Sequence, residues 1–315
     1  MKFWEKAKDK LLSRHTLMLM IVVKSEGSSP GKAGFKMMVS DDGDIWGSIG
    51  GGNMEYRLTE QCRRLLKNGN KLPFIQKQDH HPDAGKDNSG MICSGVQWVA
   101  FYTIGQNDMQ LVEQIIQIED SKSDQVISYT EKGISISAPE TETVYPLTKI
   151  DDNRWNFAEQ PGLKNLLCIF GAGHVSLALS KLAKETGFDV WVFDNRNHIN
   201  TFDENVYADK KEVIDYGAAS KCVNEGNHVY VAIMTFAHKS DTLVLKQMIN
   251  KKLKYLGMMG SDLKVRSVFD TLEAEGYTKE TLSVIDAPIG IPINSITPPE
   301  IAVSIMAKMI AVKNS

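Results

Sequence analysis

Apolar positions along the chain follow two different rules. In the first 140 residues they come as short runs and alternations broken by glycine-rich turns. Residues 3–13 show the 3.6-residue period of an amphipathic helix, and residues 17–24 form an almost unbroken apolar run that predicts a buried strand. Alternation over residues 35–39 and 45–49, turned at Asp41-Asp42-Gly43-Asp44, predicts a hairpin. A helix is expected over residues 53–67, with Asn53 as its N-cap. Strands follow at 96–104, 126–130 and 134–138, with a helix at 109–118.

From residue 166 onward the pattern changes. Apolar strands at 166–170, 189–193, 229–235 and 255–259 alternate with helices at 175–186, 241–251, 262–276 and 298–312. Thr297 before Pro298-Pro299-Glu300 marks the start of the last helix. Strands alternating with helices imply a parallel sheet covered on both faces. Between residues 141 and 162 the periodicity fades, and the stretch ends in Pro161-Gly162, as a linker would. The expectation is a smaller α+β domain over 1–140, a linker over 141–162, and an α/β domain with a Rossmann-like sheet over 163–315.

Composition narrows the function classes. A chain of 315 residues is long enough for two domains. Its 42% apolar and 24% charged residues argue against disorder, and its net charge of −3 offers no bulk positive charge for nucleic acid. Cys62, Cys93, Cys168 and Cys222 are scattered and form no CxxC pair, which speaks against a disulfide framework or a zinc site of paired cysteines. Free thiols suit a reducing cytoplasm. The apolar run at 17–23 is too short to cross a bilayer, so no membrane association is expected.

Chemistry concentrates in a few loops. Gly171-Ala172-Gly173-His174-Val175-Ser176 directly follows the strand at 166–170 and opens a helix. This G-x-G-x-x-S arrangement allows a tight turn, backbone approach by a phosphate, and a helix N-terminus aimed at the anion. The fingerprint expects an acid about 20 residues on, and Asp194 stands there at the end of the next strand. His174 lies in the anion-binding turn itself. His238 and Asp241 follow the strand at 229–235, and Ser261 and Lys264 follow that at 255–259, at the sheet edge where such folds bind ligands. Helix capping is the plainer role for Asp241, and a solvated helix position the plainer one for Lys264.

In the first half, Gly47-Ser48-Ile49-Gly50-Gly51-Gly52 places four glycines at a strand-to-helix junction, with Glu55 one turn on. Glu55 also reads simply as a first-turn acid. The loop Gly27-Ser28-Ser29-Pro30-Gly31-Lys32 offers hydroxyls, N–H groups and a lysine. Cys93 sits among small residues and reads either as an accessible thiol or as a buried one. His80-His81-Pro82-Asp83 reads as a solvated loop.

Taken in order, these segments resemble the xanthine dehydrogenase accessory family (XdhC/CoxI). The likeness rests on the serine–proline loop, on Gly47–Gly52 with Glu55, and on Met91-Ile92-Cys93-Ser94-Gly95. It continues through Gly171-Ala172-Gly173-His174-Val175, Asp194-Asn195-Arg196, Thr235 with His238 and Asp241, and Tyr255-Leu256-Gly257-Met258-Met259-Gly260-Ser261 with Lys264. Ala287-Pro288-Ile289-Gly290 and the start of the last helix complete it. The resemblance implies a chaperone that binds the molybdenum cofactor (molybdopterin), protects it and delivers it to an apo molybdenum hydroxylase of the xanthine dehydrogenase type. A cysteine desulfurase is a further implied partner, and a homodimer the implied assembly. Gly50, Gly51, Gly52 and Glu55 would line an N-terminal site. Cys93 would contact molybdenum or sulfur, and Gly171, Gly173 and His174 would cradle phosphate. The fingerprint by itself also fits an NAD(P)-dependent oxidoreductase, and a docking scaffold without a ligand is the third reading.

Overall fold

A computed structural model describes residues 2–68, 73–80, 95–140, 143, 145–151 and 154–314. The chain divides into two compact units, Met1–Leu163 and Lys164–Ser315.

The first unit runs α1 (Phe3–Leu12), β1 (Leu17–Gly27), β2 (Lys36–Ser40), β3 (Ile45–Gly47), α2 (Gly52–Asn68), β4 (Phe74–Asp79), β5 (Gly95–Ile104), α3 (Met109–Ser121), β6 (Val126–Thr130), β7 (Gly133–Ser137), β8 (Leu147–Asp151) and β9 (Arg154–Glu159). Its larger sheet is antiparallel, in the order β3-β2-β1-β5-β4. β1 reads as a continuous apolar run because both of its faces are covered. Leu17, Leu19, Ile21 and Val23 join Trp4 and Leu11 of α1 and Val112 and Ile115 of α3 in one core. Met18, Met20 and Val22 join Met37 of β2 and Met54, Leu58 and Cys62 of α2 in another. Each such side chain contributes about 1.5–3 kcal/mol by leaving water.

The stretch expected as a linker is not one. β8 and β9 belong to a second antiparallel sheet, β7-β6-β9-β8. Trp155 and Phe157 of β9 are buried in the same core as α1 and α3. Glu159 accepts a hydrogen bond from Tyr129 (3.0 Å) and pairs with Lys36 (2.8 Å). Three buried residues between polar neighbours, Trp155, Phe157 and Ala158, are too brief a signal to stand out in the sequence. β4 was likewise not foreseen. Asn53 is not a cap, since α2 already begins at Gly52. His80 is buried rather than solvated, and His81 to Asp83 lie outside the described residues.

The second unit is the expected α/β unit. Its elements are β10 (Leu166–Phe170), α4 (His174–Glu185), β11 (Asp189–Asp194), α5 (Asn200–Asp203), β12 (Lys210–Val213), α6 (Ala219–Cys222), β13 (Gly226–Ile233), α7 (His238–Met248), β14 (Leu253–Met258), α8 (Asp262–Ala274), α9 (Lys279–Ser283) and α10 (Pro298–Lys313). All pairings in its sheet are parallel, in the order β12-β11-β10-β13-β14. Successive residues of β10 feed opposite cores. Cys168 and Phe170 pack with residues of α7 and α8, and Leu167 and Ile169 with residues of α4 and α10. Glu300 closes the start of α10 by accepting from the backbone N–H groups of Ile296 (2.8 Å) and Thr297 (3.0 Å). β12 is absent from the apolar pattern because all four of its residues are exposed. α7 begins at His238, so Asp241 lies inside its first turn and does not cap it.

Candidate functional site

The strand order of the second unit sets its site. From β10 the chain moves outward to β11 and β12, then returns to β13 on the other side of β10. The crevice beyond the carboxyl ends of β10 and β13 is therefore the switch point where ligands bind in such sheets. Asp194 ends β11, and Gly171, Gly173, His174, His238, Asp241, Ser261 and Lys264 follow strands at this same edge.

The two fingerprint glycines are there for different reasons. Gly171 has φ +112°, and a Cβ there would fall 2.2 Å from the Met234 carbonyl oxygen, so the fold itself demands glycine. Gly173 caps α4 with φ −77° and ψ −174°, and a Cβ would meet nothing within 4 Å. Glycine at that position keeps the backbone bare toward the crevice. The exposed His174 opens α4, whose first-turn N–H groups have no intrahelical acceptors. Ser176, at the third fingerprint position, is buried.

Asp194 is buried, and both of its oxygens are engaged. Oδ2 accepts from the Ala172 N–H (2.7 Å) and Arg196 Nη2 (3.0 Å), and Oδ1 accepts from the Arg196 N–H (3.0 Å) and Nε (2.9 Å). Burial acts to raise its pKa, but the Arg196 guanidinium and the two backbone donors outweigh it and hold the carboxyl below its usual range. The guanidinium also lies 5.2 Å from the ring centre of Phe236, a side chain 82% exposed.

Asp241 is buried too. Its Oδ1 accepts from the Thr235 N–H (2.9 Å) and hydroxyl (2.7 Å), and its Oδ2 pairs with Lys264. Lys264 also donates to the Met259 carbonyl (3.1 Å), tying the loop after β14 to the loop after β13. Ser261 caps α8 by accepting from the Lys264 N–H (3.3 Å). His238 is exposed.

In the first unit the glycine run meets the serine–proline loop backbone to backbone. Gly50, Gly51 and Gly52 have φ of +128°, +77° and +69°. A Cβ on Gly50 would lie 2.7 Å from Gly31 N, and one on Gly31 would lie 2.1 Å from Ile49 O. Buried Gln97 of β5 ties the two loops, accepting from Gly31 N–H and donating to Ile49 O, both at 3.1 Å. Glu55 Oε2 accepts from the Ser48 hydroxyl (2.8 Å) and from the Ile49 (3.0 Å) and Gly51 (2.9 Å) N–H groups, so it shapes the run from inside. Gly51 has open space where a Cβ would point. Cys93, the expected metal contact, lies outside the described residues. Among the described residues, His15, Asp41 and Asp42 have metal-ligand spacing, but they are surface groups and Lys10 already pairs with Asp42 (2.5 Å).

Sequence reasoning gave no role to Gln97 or to the contact of Arg196 with Phe236. A lone amide inside the apolar strand β5 was the available signal for the first. The second depends on a contact between loops more than thirty residues apart, which no local pattern carries.

The second unit therefore defines a Rossmann-type nucleotide-fold protein with a separate, glycine-rich α+β unit before it. The sequence signature described as the XdhC Rossmann domain spans residues 167–309, and that described as the XdhC and CoxI family spans residues 11–75. The chain belongs to the XdhC and CoxI family. A Bacillus subtilis protein, named as a probable subunit of xanthine dehydrogenase, is 24% identical over 93% of this chain and 92% of its own length. The uncharacterized protein YqeB of Escherichia coli is also 24% identical over 93% of this chain, which spans only 43% of that longer protein. A Bacillus halodurans structure described as a xanthine dehydrogenase shares the fold, with a TM-score of 0.70 and 23% identity over 99% of this chain and 96% of its own. Among the described residues, no helix is long and apolar enough to cross a membrane.

Proposed function

We propose that the chain is a cytoplasmic maturation factor that holds the molybdenum cofactor as cargo and hands it to an apo molybdenum hydroxylase of the xanthine dehydrogenase type. One observation carries the reading: the backbone cradle of the first unit. Three successive left-handed glycines are locked against Gly31 by Gln97 and Glu55, with Gly51 bare. The Ile49, Gly50 and Gly51 N–H groups are spent on Glu55 and Ser48, so the bare glycines supply close approach to a large pterin, and the first turn of α2, which they lead into, supplies the donors for its anionic groups. Gly50, Gly51 and Gly52 would line the cargo, Cys93 would meet its molybdenum or sulfur end, and Gly171, Gly173 and His174 would take a phosphate in the second unit. The names borne by the Bacillus relatives support a xanthine dehydrogenase as the recipient. Under this reading the factor acts as a homodimer and receives sulfur from a cysteine desulfurase. An NAD(P)-dependent oxidoreductase is the competing reading, and the engagement of Asp194 by Arg196 weighs against it.

The test is to purify the protein from cells making the cofactor, oxidise what it retains, and quantify the fluorescent pterin. Wild type should retain pterin, and the Gly51→Val, Cys93→Ala double variant should lose most of it. Equal retention in a folded double variant would sink the assignment of these residues.

A further inference from the structure

In an open parallel sheet a dinucleotide lies across the carboxyl ends of the strands. Its pyrophosphate rests on the helix after the first strand, and its adenosine ribose gives hydroxyl hydrogens to the acid ending the second. Here that acid is Asp194. It accepts four hydrogen bonds, from Ala172 N–H, Arg196 N–H, and Arg196 Nε and Nη2. A carboxylate has about four acceptor sites, so none is left for a ribose diol.

Arg196 does more than neutralise the acid. It is rooted after β11, and its guanidinium rests on Phe236, in the loop after β13. β10 lies between β11 and β13 in the sheet. A side chain fixed at both of those loops therefore crosses the end of β10, where the turn Gly171-Ala172-Gly173 begins. An incoming ribose would have to replace bonds in which both partners are charged with hydroxyl donors that carry no charge. A 2′-phosphate fares no better, because it meets an ion pair whose net charge is zero.

We propose that Arg196 is a specificity-determining residue that closes the ribose site of the Rossmann unit to NAD and NADP. The proposal concerns the second unit alone and stands whether or not the first carries a molybdenum cargo.

The test titrates NAD⁺, NADP⁺ and ADP-ribose by calorimetry into the full chain, with circular dichroism melting to establish folding. Wild type should bind none of them below about 1 mM. Arg196→Ala should gain NAD⁺ and ADP-ribose affinity by about tenfold or more, the worth of one regained hydrogen bond to a charged group. Adding Asp194→Asn to that variant should abolish the gain. Arg196→Gln, which keeps an amide donor, replaces Arg196→Ala if the latter melts early. Tight NAD⁺ binding by wild type would overturn the proposal, as would NADP⁺ binding that Arg196→Ala loses. So would a folded Arg196→Ala that gains nothing, or a gain that survives loss of the Asp194 carboxylate.

Discussion

Glu55 at the start of α2, Asp194 at the end of β11 and Asp241 at the start of α7 are used in the same way. Each accepts hydrogen bonds from backbone N–H groups of the loop it serves: Glu55 from Ile49 and Gly51, Asp194 from Ala172, and Asp241 from Thr235. Sequence motifs find such acids because the loop needs them, yet cannot say whether the carboxylate faces a ligand or the chain. The fingerprint glycines divide similarly. Gly171→Ala should cost about 1–3 kcal/mol from its left-handed φ alone, with the clash at Met234 added. Gly173→Ala, in ordinary backbone with open space, should cost less, about 1 kcal/mol, because alanine is a poorer N-cap than glycine. Urea midpoints measure both. Asp194 adds a pH dependence. Its folded pKa lies below the unfolded value of about 3.9, so its stabilisation is complete above that value and is lost as pH falls through the folded pKa. Asp194→Asn should lower the midpoint at neutral pH and flatten its fall as the pH drops below the ordinary carboxylate range.

At the level of elements, Gln97 is the strut of the first unit's cradle. It satisfies one donor of the serine–proline loop and one acceptor of the glycine run from inside a buried strand. Gln97→Ala would leave both without that partner, at a cost of about 1–3 kcal/mol for each group that stays buried. Chemical denaturation should report that loss, and pterin retention should fall with it. The elements legible in the sequence were those with a long apolar period, such as β1, β10, α4 and α10. Those missed had a physical reason. β12 exposes every side chain, and β9 buries only a few residues between polar neighbours. α7 begins five residues before its first apolar position, Leu243, and its opening residues His238, Lys239 and Ser240 are largely solvent-facing. Of the site, the glycine turns were legible because they rest on local backbone demands. The pairings Asp194–Arg196, Asp241–Lys264 and Gln97–Gly31 were not, because they join residues whose proximity the fold creates.

Over the whole molecule, the sequence located two halves but placed the division too early. β8 and β9 complete the second sheet of the first unit, and the boundary falls at Leu163 and Lys164. Among the described residues, each of the four apolar cores draws its members from one unit. Residues 164–315 expressed alone should therefore fold, with one cooperative unfolding transition and dispersed amide resonances. A fragment ending at residue 140 should not, since it lacks Trp155 and Phe157 from its core. The placement of β9 also bears on synthesis. In the first unit's second sheet, β9 pairs with β6 and lies between it and β8, the strand just before it in sequence. β1 pairs with β5 across most of a hundred residues, an arrangement that folds slowly. During translation the nascent first unit must wait for Glu159 to clear the ribosome before its core closes. From then on, the glycine cradle can exist as a folded surface while the Rossmann unit is still being made.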